Sequence, residues 1–498
     1  MNKLIQLKKL ISNFNYILKN NQSFYFFRIN WLQILRYHPQ IFKRYNIIYT
    51  SSLGFYFEFF KKLVKYILII KKQIFRSIFI ADNNIYKNLL SVDCILVSHI
   101  SSKKHLGLLE DFHFRHIHNV MLKNNCSVNF FLQNHINISS QVIEKSWCGN
   151  NVPRFVARKY TSLKNEISIL IKGIKVFLYF LFLKHKKQNI LNRIEIIAGL
   201  EAISHSSLNA ERFSGELEKF VISVNPKYII FTFEGHSWER LLINKIKKYN
   251  KKIICIGFVH TTIFPYQHAN LVNYDKEFMP DYIFVPGEEI AKLFRRKISK
   301  SIPIIVTGSP KKKHKNLRLQ TRHTLRILIL PEGFESESII LINFGINLAK
   351  KCPNIEFRVR LHPELYRKEK KYNDVITKEK LSNIMLSNDT FSNDINWSSH
   401  AIYRGSTSIL EAVGSGVFPL YYGKESELSI DPLFLIKNKK HWVKDIDDTI
   451  KKFNIWYDKT PMQKLKQINP YVKFCNNLIK PLDTKVLNKF LKKSNFID

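Results

Sequence analysis

Short runs of consecutive apolar residues alternate with helically periodic stretches through the middle of this chain. Tyr228–Phe233 (YIIFTF), Lys252–Val259 (KIICIGFV), Tyr282–Val285 (YIFV) and Ile302–Thr307 (IPIIVT) are short and almost wholly apolar, the pattern of strands buried on both faces. Between them, Ser237–Lys248 and Glu288–Arg296 repeat apolar positions at helical spacing. An earlier stretch predicts strands at Cys94–Val97 and Val128–Leu132, a helix over Asp111–Leu122, and mostly helix over 145–215. A later series predicts strand Leu325–Leu330, helix Ser338–Lys350, strands Ile355–Leu361 and His400–Tyr403, helix Thr407–Val413 and strand Val417–Tyr421. Strands alternating with helices imply parallel, doubly wound sheets. The basic, proline-containing stretch Gly308–Arg326 separates the two series and reads as a linker. The expected organisation is a basic helical accessory region over 1–90 with no site-like cluster, an α/β domain over 91–310 with a helical insertion, a second over 325–435, and helices over 436–498.

The length, 498 residues, fits two to four such units at about 100–200 residues per domain. With 45% hydrophobic residues and only 16 Gly and 16 Pro, the chain is neither disordered nor collagen-like. Lys and Arg number 79 against 39 Asp and Glu, a formal charge of +40. That charge raises nucleic acid or an anionic membrane as partner, but no nucleic-acid-binding module is present, and nucleic acid is not expected. The excess lies mainly in the N-terminal helices, Lys172–Lys187, Lys311–Arg326 and the C-terminal tail, and part of it follows a Lys-, Asn- and Ile-rich composition. Phe57–Ile80 and Ile167–Leu183 are apolar, aromatic-rich segments interrupted by lysines, too broken to span a bilayer. They suit either an anionic inner-leaflet surface, with lysine stems snorkelling, or packing on the protein with a basic outer face. The N-terminus lacks the pattern of a secretory signal. The six cysteines form no C-x-x-C pair and read as reduced thiols. A cytoplasmic protein, peripheral at most on the inner face of the membrane, is expected.

In open α/β sheets ligands bind beyond the carboxyl ends of the strands, and the polar residues of this chain concentrate there. Glu234-Gly235-His236 and His260-Thr261-Thr262 end two strands of the first domain. Pro331-Glu332-Gly333, His362-Pro363 and Gly405-Ser406-Thr407-Ser408 end strands of the second, with Glu411 just inside the following helix. Carboxylates and imidazoles so placed suit general acid–base chemistry, and the Gly/Ser/Thr loop suits a phosphate. Ser408 and Glu411 are also spaced as a capping box, which leaves Glu411 a purely structural alternative. Asp445-Ile446-Asp447, a D-x-D of the kind that holds metal in some sugar transferases, follows no strand and reads as an acidic helix start. Neither a G-x-x-x-x-G-K-[ST] loop nor a G-x-G-x-x-G fingerprint is present.

Residues 228–423, from YIIFTFEGHSWER through FRVRLHPEL to YRGSTSILEAVGSGVFPLYYG, resemble glycosyltransferase-like proteins of bacterial surface carbohydrate biosynthesis. They are similar in particular to bacterial sialyltransferases and polysialyltransferases, with an acidic-acidic-Gly motif, a His-Pro motif and a Ser/Thr pair. The resemblance covers about 40% of the chain and implies the GT-B fold, two Rossmann-like domains facing a cleft. It implies catalytic roles for Glu234 as general base and His362 at the leaving phosphate; Glu332 is the competing position for the base, set second because the base is expected from the acceptor lobe, and the strand-end reading adds His260 as a further catalytic candidate. It further implies that His362, Ser406 and Thr407 bind the nucleotide's phosphate and Glu411 its ribose; with the strand-end residues Gly333, Pro363, Gly405 and Ser408 these make the expected nucleotide-sugar site. Phe233 and Pro331 stand where the family has its first acidic residue. The implied reaction is an inverting, metal-independent transfer, without cofactor, from a nucleotide-activated sugar such as a CMP-nonulosonic acid to a glycan or lipid-linked acceptor. Transfer of a polyol phosphate from a CDP donor, and a non-catalytic basic scaffold on a membrane, are the alternatives.

Overall fold

The computed structural model describes residues 3–20, 24–81, 85–87, 89–147, 149, 152–182, 190–267, 269–311, 324–437 and 439–494. Most of the Gly308–Arg326 linker and Cys148 lie outside these.

Two all-parallel sheets organise the chain. The first contains β1 (Cys94–Ile100), β2 (Val128–Asn134), β3 (Arg154–Val156), β4 (Tyr228–Thr232), β5 (Ile254–Phe258), β6 (Tyr282–Val285) and β7 (Ile304–Val306), in the order β3-β2-β1-β4-β5-β6-β7. The second contains β8 (Arg326–Leu330), β9 (Glu356–Val359), β10 (Ile384–Leu386), β11 (His400–Tyr403), β12 (Phe418–Tyr422) and β13 (Trp442–Val443), in the order β10-β9-β8-β11-β12-β13. Every residue of β4 and β11 is buried, because parallel strands with helices on both faces have no wet side. The chain therefore has the expected GT-B architecture, two Rossmann-like domains facing a cleft, with an additional helical N-terminal region. In the first sheet the strand order reverses between β1 and β4, and in the second between β8 and β11. Such reversals open a crevice between loops that leave in opposite directions.

Some elements depart from expectation. The helix expected over Asp111–Leu122 is only Ile117–Leu122. Asp111 is spent otherwise: its carboxylate accepts from Ser98 Oγ at 2.9 Å and from the backbone N–H groups of His113 and Phe114, both at 2.7 Å, which fixes a turn. Residues past Ile436, expected to be helical throughout, first add the edge strand β13 beside β12. β3, β10 and β13 have two or three residues each, too few to show a period in sequence. Asp445 is a helix N-cap, accepting from the Asp448 N–H at 2.8 Å, in agreement with the structural reading of the D-x-D.

The C-terminal segment crosses back to the first lobe. Lys480 N donates to Pro286 O, Ser309 N to Lys480 O and Asp483 N to Thr307 O, each at 2.8 Å, so the crossing is made by backbone at the ends of β6 and β7. The final helix, Thr484–Ser494, then covers the first sheet, with the Phe490 ring against Tyr282 and Phe284.

The N-terminal region is built into the body of the protein. Leu7, Leu10, Phe14 and Ile17 of the Lys3–Asn20 helix are fully or almost fully buried. Phe27 stacks on Phe278 with centroids 4.0 Å apart. From there the chain runs between the lobes: Asn30 Oδ1 accepts from Ser237 N and Oγ of the first lobe, at 3.3 and 3.2 Å. A few residues on, His38 Nε2 lies 2.8 Å from Glu332 Oε1, and Gln40 Nε2 donates to Glu337 Oε1 at 2.8 Å, both in the second lobe.

Candidate active site

Glu234 follows β4 at the switch point of the first sheet. Gly235, next to it, has φ +85°, and a Cβ there would lie 2.3 Å from the Ala269 carbonyl carbon, so only glycine fits this turn. Glu239, fully buried in the Ser237–Tyr249 helix, accepts from the N–H groups of Glu234 and Gly235 at 3.0 and 2.8 Å. Burial pushes the Glu239 carboxyl up to about 7, although these N–H groups favour its charged form. Glu239 thus braces the loop from beneath.

The Glu234 carboxylate meets two imidazoles, His236 Nε2 at 3.2 Å and His260 Nε2 at 3.4 Å. Burial opposes ionisation of Glu234, but the His236 hydrogen bond and the surrounding imidazoles outweigh it and hold the carboxyl well below its usual range. His236 is affected in the complementary way: burial lowers it, and Glu234 with Glu239 raises it further than burial lowers it. His260 is lowered by burial to about 4. Around this pair stand imidazoles from β1, from the residue after β2 and from the turn after β1. His99 Nε2 lies 2.9 Å from Thr232 Oγ1 and its Nδ1 lies 3.1 Å from His135 Nε2, while the His113 and His260 rings are 4.5 Å apart. Burial lowers His99 to about 3 and lowers His113 and His135 as well. His113 and His260 each retain a buried Nδ1 without a hydrogen-bond partner among the described residues. The result is an ionised carboxylate beside one imidazole biased toward its cationic form, set in a shell of neutral imidazoles.

Across the cleft, three adjacent strands of the second sheet end together. Glu332 and Gly333 follow β8, His362 follows β9, and Gly405 follows β11. A Cβ on Gly405 would lie 2.3 Å from Glu332 Oε2, and one on Gly333 would lie 3.2 Å from His362 Nδ1. The two glycines therefore let the carboxylate and the imidazole lie against backbone. His362 Nδ1 accepts from the Glu364 N–H at 3.3 Å across Pro363, which opens the short 3-10 turn Pro363–Lys368. This assigns the ring proton to Nε2, leaving a donor at that position. Burial lowers His362, with Glu364 and Glu332 acting against it. Ser406 is buried, with its Oγ 2.6 Å from Ser408 Oγ. Thr407 and Glu411 are exposed. Ser408 takes helical backbone angles and makes no side-chain cap bond, so the capping box read from Ser408 and Glu411 is not formed.

A cavity of about 380 Å³ lies between the lobes, lined by Glu234, His236, Thr261 and Thr262 from one side and by Glu332 and Gly405 from the other. Its third wall is Ile34–His38 with Ile41. The N-terminal region, read as free of site-like residues, is corrected on this point: His38 and Gln40 bond the second lobe, and the His38 ring stacks on Phe334 at 4.4 Å. Glu234, Glu332, Gly405 and, through Glu234, His260 are brought together. Gly333, His362, Pro363, Ser406, Thr407, Ser408 and Glu411 do not line this cavity. His38, His99, His113 and His135 had no local signal, since each enters from an element distant in sequence, and only the density of histidine between residues 99 and 135 hinted at them; Glu239 is local, an acidic residue in the first turn of the helix after β4. Among the described residues no cluster of three or more His, Cys, Asp or Glu is arranged to hold a metal ion, and no helix is long and apolar enough to cross a membrane.

No protein-family model and no curated protein matches the chain by sequence. Among solved structures it is similar to MurG of Acinetobacter baumannii, at 10% identity and a TM-score of 0.44, over 80% of this chain and 99% of that one. It is also similar to the lipopolysaccharide outer core galactosyltransferase WaaB, at 11% identity and a TM-score of 0.43, over 80% and 99%. A third is the UDP-GlcNAc 2-epimerase of Neisseria meningitidis bound to UDP-GlcNAc, at 12% identity and a TM-score of 0.41, over 82% and 100%.

Proposed function

We propose that the protein is an inverting glycosyltransferase that takes a nucleotide-activated sugar in the second lobe and an acceptor hydroxyl in the first. The observation that carries this reading is that Glu234 and His236 after β4, and Glu332 and Gly405 after β8 and β11, each pair at the switch point of its sheet, line one cleft, with His260 beside Glu234 and His362 against Gly333. Glu234 removes the proton of the acceptor hydroxyl as the acceptor oxygen bonds to the anomeric carbon and the sugar–phosphate bond breaks. The electron pair of that bond leaves on the phosphate, where the His362 Nε2–H and the Ser406 and Thr407 hydroxyls stabilise it. His236, biased toward its cation, keeps Glu234 ionised between turnovers. The motif pattern favours a CMP-activated nonulosonic acid as donor and a surface glycan or lipid-linked glycan as acceptor, met at an anionic membrane surface on the cytoplasmic side.

Incubation with a panel of nucleotide sugars, followed by chromatography of released nucleotide, tests the reading. One donor class is expected to be hydrolysed or transferred, and its nucleotide to bind in calorimetry. No nucleotide binding, or unchanged turnover in the Glu234→Ala/His362→Ala double variant, would sink it. Phosphorus in the acceptor product would replace sugar transfer by polyol phosphate transfer.

A further inference from the structure

Two helices carry their apolar residues on the wrong side. In Ser52–Ser77 the residues Phe55 and Phe59 face inward, as they should. A second apolar row, Leu53, Phe57, Phe60, Val64, Leu68 and Phe75, faces solvent, with Leu53 84% exposed, Phe57 68% and Phe75 62%. At 3.6 residues per turn these six fall on one stripe. The Leu163–Phe182 helix repeats the arrangement: Ile169, Val176 and Phe180 are buried, while Ile167, Ile171, Ile174, Leu178 and Phe182 form an exposed stripe, Phe182 being 74% exposed. The helices lie side by side, with the Phe59 and Phe177 rings stacked at 6.5 Å. Amphipathic surface helices normally point such a row inward, and a contiguous exposed patch of this kind marks an interaction surface.

The charges decide between occupants. By the same helical geometry, Lys61, Lys65, Lys72 and Arg76 follow one edge of the first stripe, and Lys164 and Lys175 one edge of the second. Ser52–Ser77 carries a single carboxylate, Glu58, while Glu166 of the other helix is buried against Arg212. A second copy of this face would set lysines against lysines. An anionic lipid surface complements them and takes up the aromatic and aliphatic stripe among its acyl chains. Because neither helix can cross a bilayer, they would lie in its plane.

We infer that the paired helices Ser52–Ser77 and Leu163–Phe182 form a monotopic docking face for anionic membranes. The inference stands on these two helices alone and does not depend on the catalytic reading. Flotation of the full chain with vesicles of phosphatidylglycerol and phosphatidylcholine, against phosphatidylcholine alone, tests it. The wild type is expected to float with the mixed vesicles. The variant Phe57→Ser/Phe60→Ser/Ile171→Ser/Leu178→Ser, altered only at exposed positions, is expected to melt like the wild type and to partition about a hundredfold more weakly. The variant Lys65→Glu/Lys72→Glu/Lys164→Glu/Lys175→Glu is expected to lose the preference for the anionic vesicles. No flotation of the wild type, or equal flotation of the serine variant, overturns the inference. So does a wild-type dimer that the serine variant abolishes without any vesicle binding.

Discussion

The two lobes present opposite kinds of surface to one cleft. The first offers side chains whose ionisation is displaced: Glu234 held down, His236 raised, His260 at about 4, Glu239 at about 7. The second offers close backbone at Gly333 and Gly405, a histidine with its Nδ1 already engaged, and hydroxyls. Proton transfer needs groups that change charge, and grip on a phosphate needs donors that do not. The contrast is thus a division of labour, and it can be attacked from either side.

The largest effect is expected from Glu234→Gln, which keeps the shape of the loop but removes the base. Turnover should fall about a thousandfold, about 4 kcal/mol of barrier, while calorimetry finds nucleotide affinity unchanged. A matching loss of affinity would blur the division. His362→Ala should act in the other way, lowering turnover about a hundredfold and weakening nucleotide binding with it.

Acid should unsettle the first lobe selectively. His260 binds its proton near 4 when folded, against an ordinary 6.5 when unfolded. As pH falls below about 6.5 the unfolded chain therefore takes up a proton that the native protein refuses, and stability is lost; it is fully present above that value. Between pH 7 and 5 this single group costs up to about 2 kcal/mol, which denaturant titrations will detect and which His260→Gln should reduce. Gly405→Ala should displace the Glu332 carboxylate, since a Cβ has no room there, and cost about tenfold in turnover, about 1.4 kcal/mol. The smallest change is expected from His38→Ala: loss of one hydrogen bond to Glu332, read as a rise of a few fold in KM, on the order of 1 kcal/mol.

The same contrast explains what the sequence disclosed. The apolar runs that become β4, β5, β8 and β11 were plain, and so were the residues that end them, because a strand end is a local event: Glu234, His260, Glu332, His362 and Gly405 all stand where the alternation places them. Of the four strands of two or three residues, β3, β10 and β13 left no period to read, while β7 sits inside a longer apolar run. The shell of His99, His113 and His135 depends on how β1 and β2 approach β4, which is tertiary and leaves no mark at one position. Least legible was the N-terminal region. Its lysines and aromatics mark helices and a surface, but nothing near His38 announces a partner 294 residues away. Glu411 shows the reverse case, where the spacing suggested a cap that the backbone angles at Ser408 do not form.

The crossing of the chain between lobes has a mechanical consequence. Outward and return passages meet at the ends of β6 and β7, tied by main-chain bonds from Lys480, Ser309 and Asp483, whereas the N-terminal segment joins the lobes at the cleft by the side chains of His38 and Gln40. Main-chain ties near one edge of the first sheet and side-chain ties at the mouth make a door with its hinge on one jamb and its catch on the other. Parting the lobes at the mouth would break two side-chain hydrogen bonds and the His38–Phe334 stacking, and would leave the main-chain ties at the other end whole.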